Sequence, residues 1–93
     1  MQNPTRLTLL PLIGLNAVVK RATNPALHRI SGVIVDDTHN MLTIFDGLRN
    51  RHVLKTSSLF ELSLPSGETV DIDGEALLGH PAERLRRAKK LRW

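Results

Sequence analysis

Between Leu15 and Gly74 the apolar residues recur mostly with a period of two. Leu15, Ala17 and Val19 alternate with Asn16 and Lys20, although Val18 interrupts the pattern. Residues 30–35 are β-branched apart from Ser31 and Gly32, and residues 41–45 form a further apolar run around Thr43. A weaker run surrounds Leu54, between Val53 and Lys55. Phe60, Leu62 and Leu64 alternate strictly with Glu61 and Ser63, as Val70 and Ile72 do with Thr69, Asp71 and Asp73. Alternation of this kind puts one face of a strand on a core and the other in water. Six short strands are predicted.

The residues between the runs agree. Thr38-His39-Asn40, Asp46-Gly47, Pro65-Ser66-Gly67 and Asp73-Gly74 carry the residue types that tolerate the tight turns of hairpins. Six closely spaced strands predict a mainly β fold, a small six-stranded antiparallel barrel, which avoids the two unpaired edges of an open sheet. Gly32, inside a strand, fits a bulge or sharp bend.

Helical signals occur only at the ends. Asn3-Pro4 offers a cap and a first-turn proline ahead of Leu7, Leu9 and Leu10, and Pro11 limits that helix to a turn or two. Gly79-His80-Pro81 ends the strand region and Glu83 suits the first turn of a second helix. On that helix Arg86, Arg87, Lys89 and Lys90 share one side, and Ala82, Leu85, Ala88 and Leu91 lie opposite; Arg84 and Arg92 fall near the apolar side. The expected organisation is one domain over 1–93: a helical N-terminal extension over 1–13, the barrel over 14–79 and a basic C-terminal helix over 80–93.

Composition narrows the function. The chain has 93 residues, enough for one modest core. No apolar run approaches the ~20 residues of a membrane-spanning helix, and no signal-peptide pattern is visible, so a cytoplasmic protein without a membrane partner is expected. Cysteine is absent, which excludes disulfides, thiol nucleophiles and Cys-ligated zinc. The formal net charge of +4 is unevenly spread. Residues 1–82 hold seven Lys/Arg and eight Asp/Glu, whereas residues 83–93 hold six Lys/Arg and one Glu. A near-neutral body with a basic tail points to a polyanionic partner, although a solvated helix that keeps a small protein soluble has the same charge.

Catalytic chemistry has no local signature. His28, His39, His52 and His80 lack metal-ligand spacing, and turns, strand surfaces and caps account for them. Asp36-Asp37 and Asp71-x-Asp73 have the chemistry for a hard cation but also suit strand ends. Ser57 and Ser58 have neither a local base nor a nucleophile elbow, and no phosphate-binding glycine loop occurs. No catalytic residue, metal site or cofactor is assigned to this chain. With Phe45, Phe60 and Trp93 as its only aromatics, it lacks the stacking rings of common single-strand binders. Its cations suit phosphates instead: Lys20, Arg21 and Arg29 around the first loop, Arg49, Arg51 and Lys55 around the third turn and fourth strand. Recognition of a folded RNA by shape is expected. The clusters Leu7, Leu9 and Leu10 and Leu85 and Leu91 are surplus to a small core and are candidate partner-binding residues.

The order of these pieces resembles a known family. The stretch from Ile30-Ser31-Gly32-Val33-Ile34-Val35-Asp36-Asp37-Thr38 through Asn40-Met41-Leu42-Thr43-Ile44 reads like "G-x-V-V-D-E-T-x-N-T-L". Lys55, Phe60-Glu61-Leu62, Leu64-Pro65-x-Gly67 and Val70-x-Ile72-x-Gly74 follow, and Gly79-His80-Pro81-Ala82-Glu83-Arg84 resembles "G-R-P-E-D-R". From about Leu12 to Arg84 the pattern is similar to archaeal ribonuclease P protein component 1, with departures at His80, Ala82-Glu83 and Asp37.

The resemblance implies an Sm-like barrel in an accessory subunit of the ribonucleoprotein endoribonuclease that removes 5′ leaders from precursor tRNA. It also implies that the RNA subunit carries the catalytic site with its Mg²⁺, and that partners include that RNA, a zinc-ribbon protein subunit and other ribonuclease P proteins, with precursor tRNA met indirectly. By the same resemblance Lys55 and Arg84 are candidate RNA contacts. A general RNA-binding barrel of the ribosomal or translation-associated kind, or an adaptor for an acidic protein, remains an alternative reading of the residues.

Overall fold

A computed structural model of the chain describes residues 11–84. Six antiparallel strands form one sheet: β1 (Asn16–Arg21), β2 (Ser31–Asp37), β3 (Met41–Phe45), β4 (Asn50–Leu54), β5 (Leu59–Ser63) and β6 (Thr69–Asp73). Their order across the sheet is β4-β3-β2-β1-β5-β6. Each strand arises where the alternation predicts one, because that alternation gives the sheet a single dry face. Ala17, Val19, Ile34, Leu42, Ile44, Val53, Phe60, Leu62 and Ile72 turn inward from all six strands and are buried. Leu12, Ala22, Leu64 and Leu77 complete the core from outside the strands.

The sheet curls so that its two ends approach each other at one corner. β4 and β6 lie at opposite ends of the order, yet Gly74, just after β6, rests directly on the backbone of Lys55, just after β4. A Cβ at Gly74 would collide with the Lys55 carbonyl, so this closure requires glycine. Gly32 plays a similar part inside the sheet, lying flat against the Phe45 carbonyl.

The bulges fall elsewhere than at Gly32. One interrupts β1 between Val19 and Arg21, and the other interrupts β2 between Ile34 and Asp36. An extra residue in one strand reverses the facing of everything after it. Beyond the first bulge Arg21 turns to solvent. Beyond the second, Asp36 pairs outward with Thr43, and Asp37 pairs with Leu42 and turns inward.

Two short 3-10 turns, Pro25–Leu27 and Gly74–Leu77, were not expected from the alternation. The second occupies part of the segment assigned to the barrel strands. The expected boundary at residue 14 also moves: Leu12 is buried core, and residues 11–13 are not helical. A helix starts at residue 81 and is described through residue 84. Pro81 opens it, and Glu83 Oε1 accepts the His80 backbone N–H at 2.9 Å, one arm of a capping box. Residues 1–10 of the predicted N-terminal helical extension over 1–13, and the rest of the C-terminal helix, lie outside the described residues.

Candidate nucleic-acid interface

Two of the predicted RNA contacts belong to the interior. Lys55 and Arg84 are fully buried, and both are bonded to Asp37. Lys55 Nζ donates to Asp37 Oδ1 at 2.8 Å, the Thr38 carbonyl at 2.6 Å and the Gly79 carbonyl at 3.1 Å, which uses all three of its donors. Arg84 grips the same carboxylate with both terminal nitrogens, Nη2 to Oδ2 at 2.7 Å and Nη1 to Oδ1 at 3.2 Å. Its Nη1 also donates to the carbonyls of Gly79 and Leu77, at 2.8 and 3.2 Å. Asp37 reaches this position because the β2 bulge turned it inward. The cluster ties the β2–β3 hairpin, the end of β4 and the first turn of the C-terminal helix together. Both cations are shielded from water and committed to Asp37 and backbone carbonyls, so the geometry gives them a structural role in place of the expected RNA contact.

The remaining described candidates lie on the surface. Lys20 pairs with Asp71 at 3.2 Å and lies 3.9 Å from Glu61. Arg51 Nη1 donates to Asp46 Oδ2 at 3.3 Å. Asp46 also accepts the backbone N–H groups of Leu48 and Arg49, at 2.8 and 2.9 Å, which shapes the β3–β4 turn. Those backbone donors, Arg49 first, hold its carboxyl below the usual carboxylate range. Arg21, Arg29 and Arg49 are exposed and form no ion pair among the described residues.

Antiparallel topology collects these three. The end of β1, the β1–β2 loop and the β3–β4 turn all fall at one end of the sheet. Arg29 has a left-handed φ of 69°, and its N–H donates to the Val19 carbonyl at 2.7 Å, which holds the loop against β1. The C-terminal helix starts at the opposite end, beside the β2–β3 hairpin, where Gly79 N–H donates to the His39 carbonyl at 2.7 Å. Glu83 there accepts from His80 N–H and from His39 Nδ1, at 2.9 and 3.2 Å, and these bonds pull its carboxyl down to about 2. Arg86, Arg87, Lys89 and Lys90 lie outside the described residues, as do Leu7, Leu9, Leu10, Leu85 and Leu91.

A further surface escaped the alternation pattern. Val33 and Phe45 face each other across β2 and β3 on the outer side of the sheet, with Val35 beside them on its bulge. All three are substantially exposed, and Leu48 at the tip of the β3–β4 turn is 91% exposed. A contiguous apolar patch of this kind marks a partner surface more often than isolated residues do. The signal in the sequence was the continuous apolar run 33–35, where a strand with one wet face would alternate.

Fold and surface together define a small antiparallel barrel with exposed cations at one end and an apolar outer face. Comparison with known proteins places it further. The family model described as Ribonuclease P/MRP, subunit p29 matches residues 5–87, and the chain belongs to this family of ribonuclease P protein subunits. It is 41% identical over 83 residues to the ribonuclease P protein component 1 of Hyperthermus butylicus, covering 87% of this chain and 74% of that protein. Its counterpart in Methanothermobacter thermautotrophicus is 40% identical over 82% of this chain and 83% of its own length. A solved structure of a homologue of the human RNase P protein Rpp29 superposes with a TM-score of 0.61 at 41% identity, covering 81% of this chain and 97% of the other.

Proposed function

We propose that the chain binds and stabilises the RNA subunit of ribonuclease P, in the cytoplasm, for removal of 5′ leaders from precursor tRNA. The observation that carries this reading is the gathering of Arg21, Arg29 and Arg49 at one end of the barrel, in a member of the ribonuclease P subunit family. Guanidinium groups there meet phosphates bidentately and orient the protein without reading sequence. The tail cations Arg86, Arg87, Lys89 and Lys90 add further positive charge for phosphates. Leader cleavage is carried by the RNA with its Mg²⁺, and this chain contributes position and charge.

The outer face formed by Val33, Val35 and Phe45 docks a protein, and the zinc-ribbon subunit of the same particle is the proposed occupant. The N-terminal segment enters next to this face: Gly14 N–H donates to the Ile34 carbonyl at 2.8 Å.

Hydroxyl-radical footprinting on ribonuclease P RNA tests the reading. Local protection of one region, reduced when Arg21, Arg29 and Arg49 are changed together to Gln, is the expected result. Diffuse protection that ignores those substitutions would overturn it.

A further inference from the structure

A cavity of about 290 Å³ opens between the β1–β2 loop and β4. Leu27 and Leu54 supply its apolar walls, and Asn24, Thr23, His52 and Ser58 its polar ones. Leu54 is 52% exposed, a high value for a leucine that lines a cavity. We propose that this cavity holds one unpaired nucleobase of the RNA subunit. The proposal rests on the RNA-binding reading above and gives it a base-binding site.

The walls are rigid before any ligand arrives. Asn24 Oδ1 accepts the Ala26 N–H at 3.0 Å, which sets the 3-10 turn. His28 Nε2 donates to the Ala22 carbonyl at 2.8 Å and closes the loop on itself. On the other side Ser58 Oγ donates to the Leu54 carbonyl at 2.6 Å. A site built in advance avoids much of the ordering cost of binding.

The same bonds decide which polar groups remain. With Oδ1 engaged, the Asn24 amide keeps its two N–H donors. With its hydrogen committed, Ser58 Oγ keeps lone pairs. His52 Nδ1 shares a hydrogen bond with Thr43 Oγ1 at 2.9 Å, which fixes the ring and leaves Nε2 available. Donors and acceptors side by side between apolar walls match a base edge, which carries both, and a base face, which is apolar. The leucine walls take the place of the aromatic stack that the chain lacks. Arg21 precedes the lining segment and Arg29 follows it, so a cation stands on each side of the loop for the flanking phosphates.

Titration of the ¹⁵N-labelled full chain tests this. The probes are single-stranded pentanucleotide RNAs of each base and a pentamer with an abasic central ribose. The folded RNA subunit is titrated alongside. Saturable shifts are expected at the amides of residues 22–24, 26–27 and 52–58. Affinity should fall about tenfold with the abasic strand or with Leu54→Ala, and remain unchanged with Ser66→Ala in the β5–β6 turn at the opposite end of the sheet. Equal shifts from the abasic strand would reduce the site to a backbone contact and overturn the proposal. So would silence of these amides toward every pentamer while the folded RNA still binds. Loss of folded-RNA binding with the pentamer shifts retained would instead overturn the subunit reading and leave the pocket standing.

Discussion

Asp37→Asn neutralises an anion that faces two buried cations. The carboxylate is bonded to Lys55 at 2.8 Å and to Arg84 at 2.7 and 3.2 Å, and all three side chains are shielded from water. The carbonyls of Thr38, Leu77 and Gly79 stay in place and continue to accept hydrogen bonds, but they carry no net charge. Breaking a buried pair from one side typically costs ~3–5 kcal/mol, because an uncompensated charge stays behind. A domain of this length is stable by only ~5–14 kcal/mol, so the midpoint should fall by at least ~12 °C. Urea unfolding followed by circular dichroism gives the loss directly, provided the slope is unchanged. Replacing all three residues together, as Asp37→Leu, Lys55→Met and Arg84→Met, should be milder than Asp37→Asn alone, because no charge is then stranded. A single-variant loss under ~1 kcal/mol, or a triple variant as unstable as its summed parts, would refute the reasoning.

Three further outcomes are expected. Removal of residues 85–93 should leave the barrel folded and flatten the log–log salt dependence of RNA binding by roughly 3–4 units, at ~0.7–0.9 per phosphate contact; removal from residue 83 onward should also unfold or loosen the barrel, because Arg84 goes with it. The Glu83 carboxyl is depressed to about 2, so its contribution to the helix start is complete above its unfolded value near 4.5 and is lost as pH falls toward 2; faster exchange of the His80 amide across that window, abolished in Glu83→Ala, is the check. Phe45→Asp should abolish pairing with a zinc-ribbon subunit in calorimetric titration while leaving the melting curve nearly unchanged, since Phe45 lies on the outer face.

All six strands were legible because each puts apolar residues on one face at a period of two, a signal that survives without knowledge of the neighbours. Asp37 and Arg21 were not legible in the same way. Their facing depends on the bulges before them, and a bulge is a property of the paired strands, not of the residue run. Without the extra residue in β2, Asp36 would point inward, and the cluster with Lys55 and Arg84 would not form. Lys55 and Arg84 were misread for the related reason that a lysine after a strand and an arginine in a basic tail both resemble surface residues. The helical projection did hold a clue: Arg84 falls on the apolar side, whereas Arg86, Arg87, Lys89 and Lys90 do not. The nucleobase pocket was invisible because Asn24, His52 and Ser58 come from three separated segments.

Leader removal in a reconstituted particle tests the central claim, that this chain serves ribonuclease P as a protein subunit of its RNA. Precursor tRNA is incubated in Mg²⁺ with the chain alone, with the RNA subunit and its other proteins, and with the complete set. The account predicts no cleavage by the nuclease-treated chain alone and faster cleavage when the chain completes the particle. Leader removal by the isolated chain, or a complete particle no faster than one lacking it, would contradict the account.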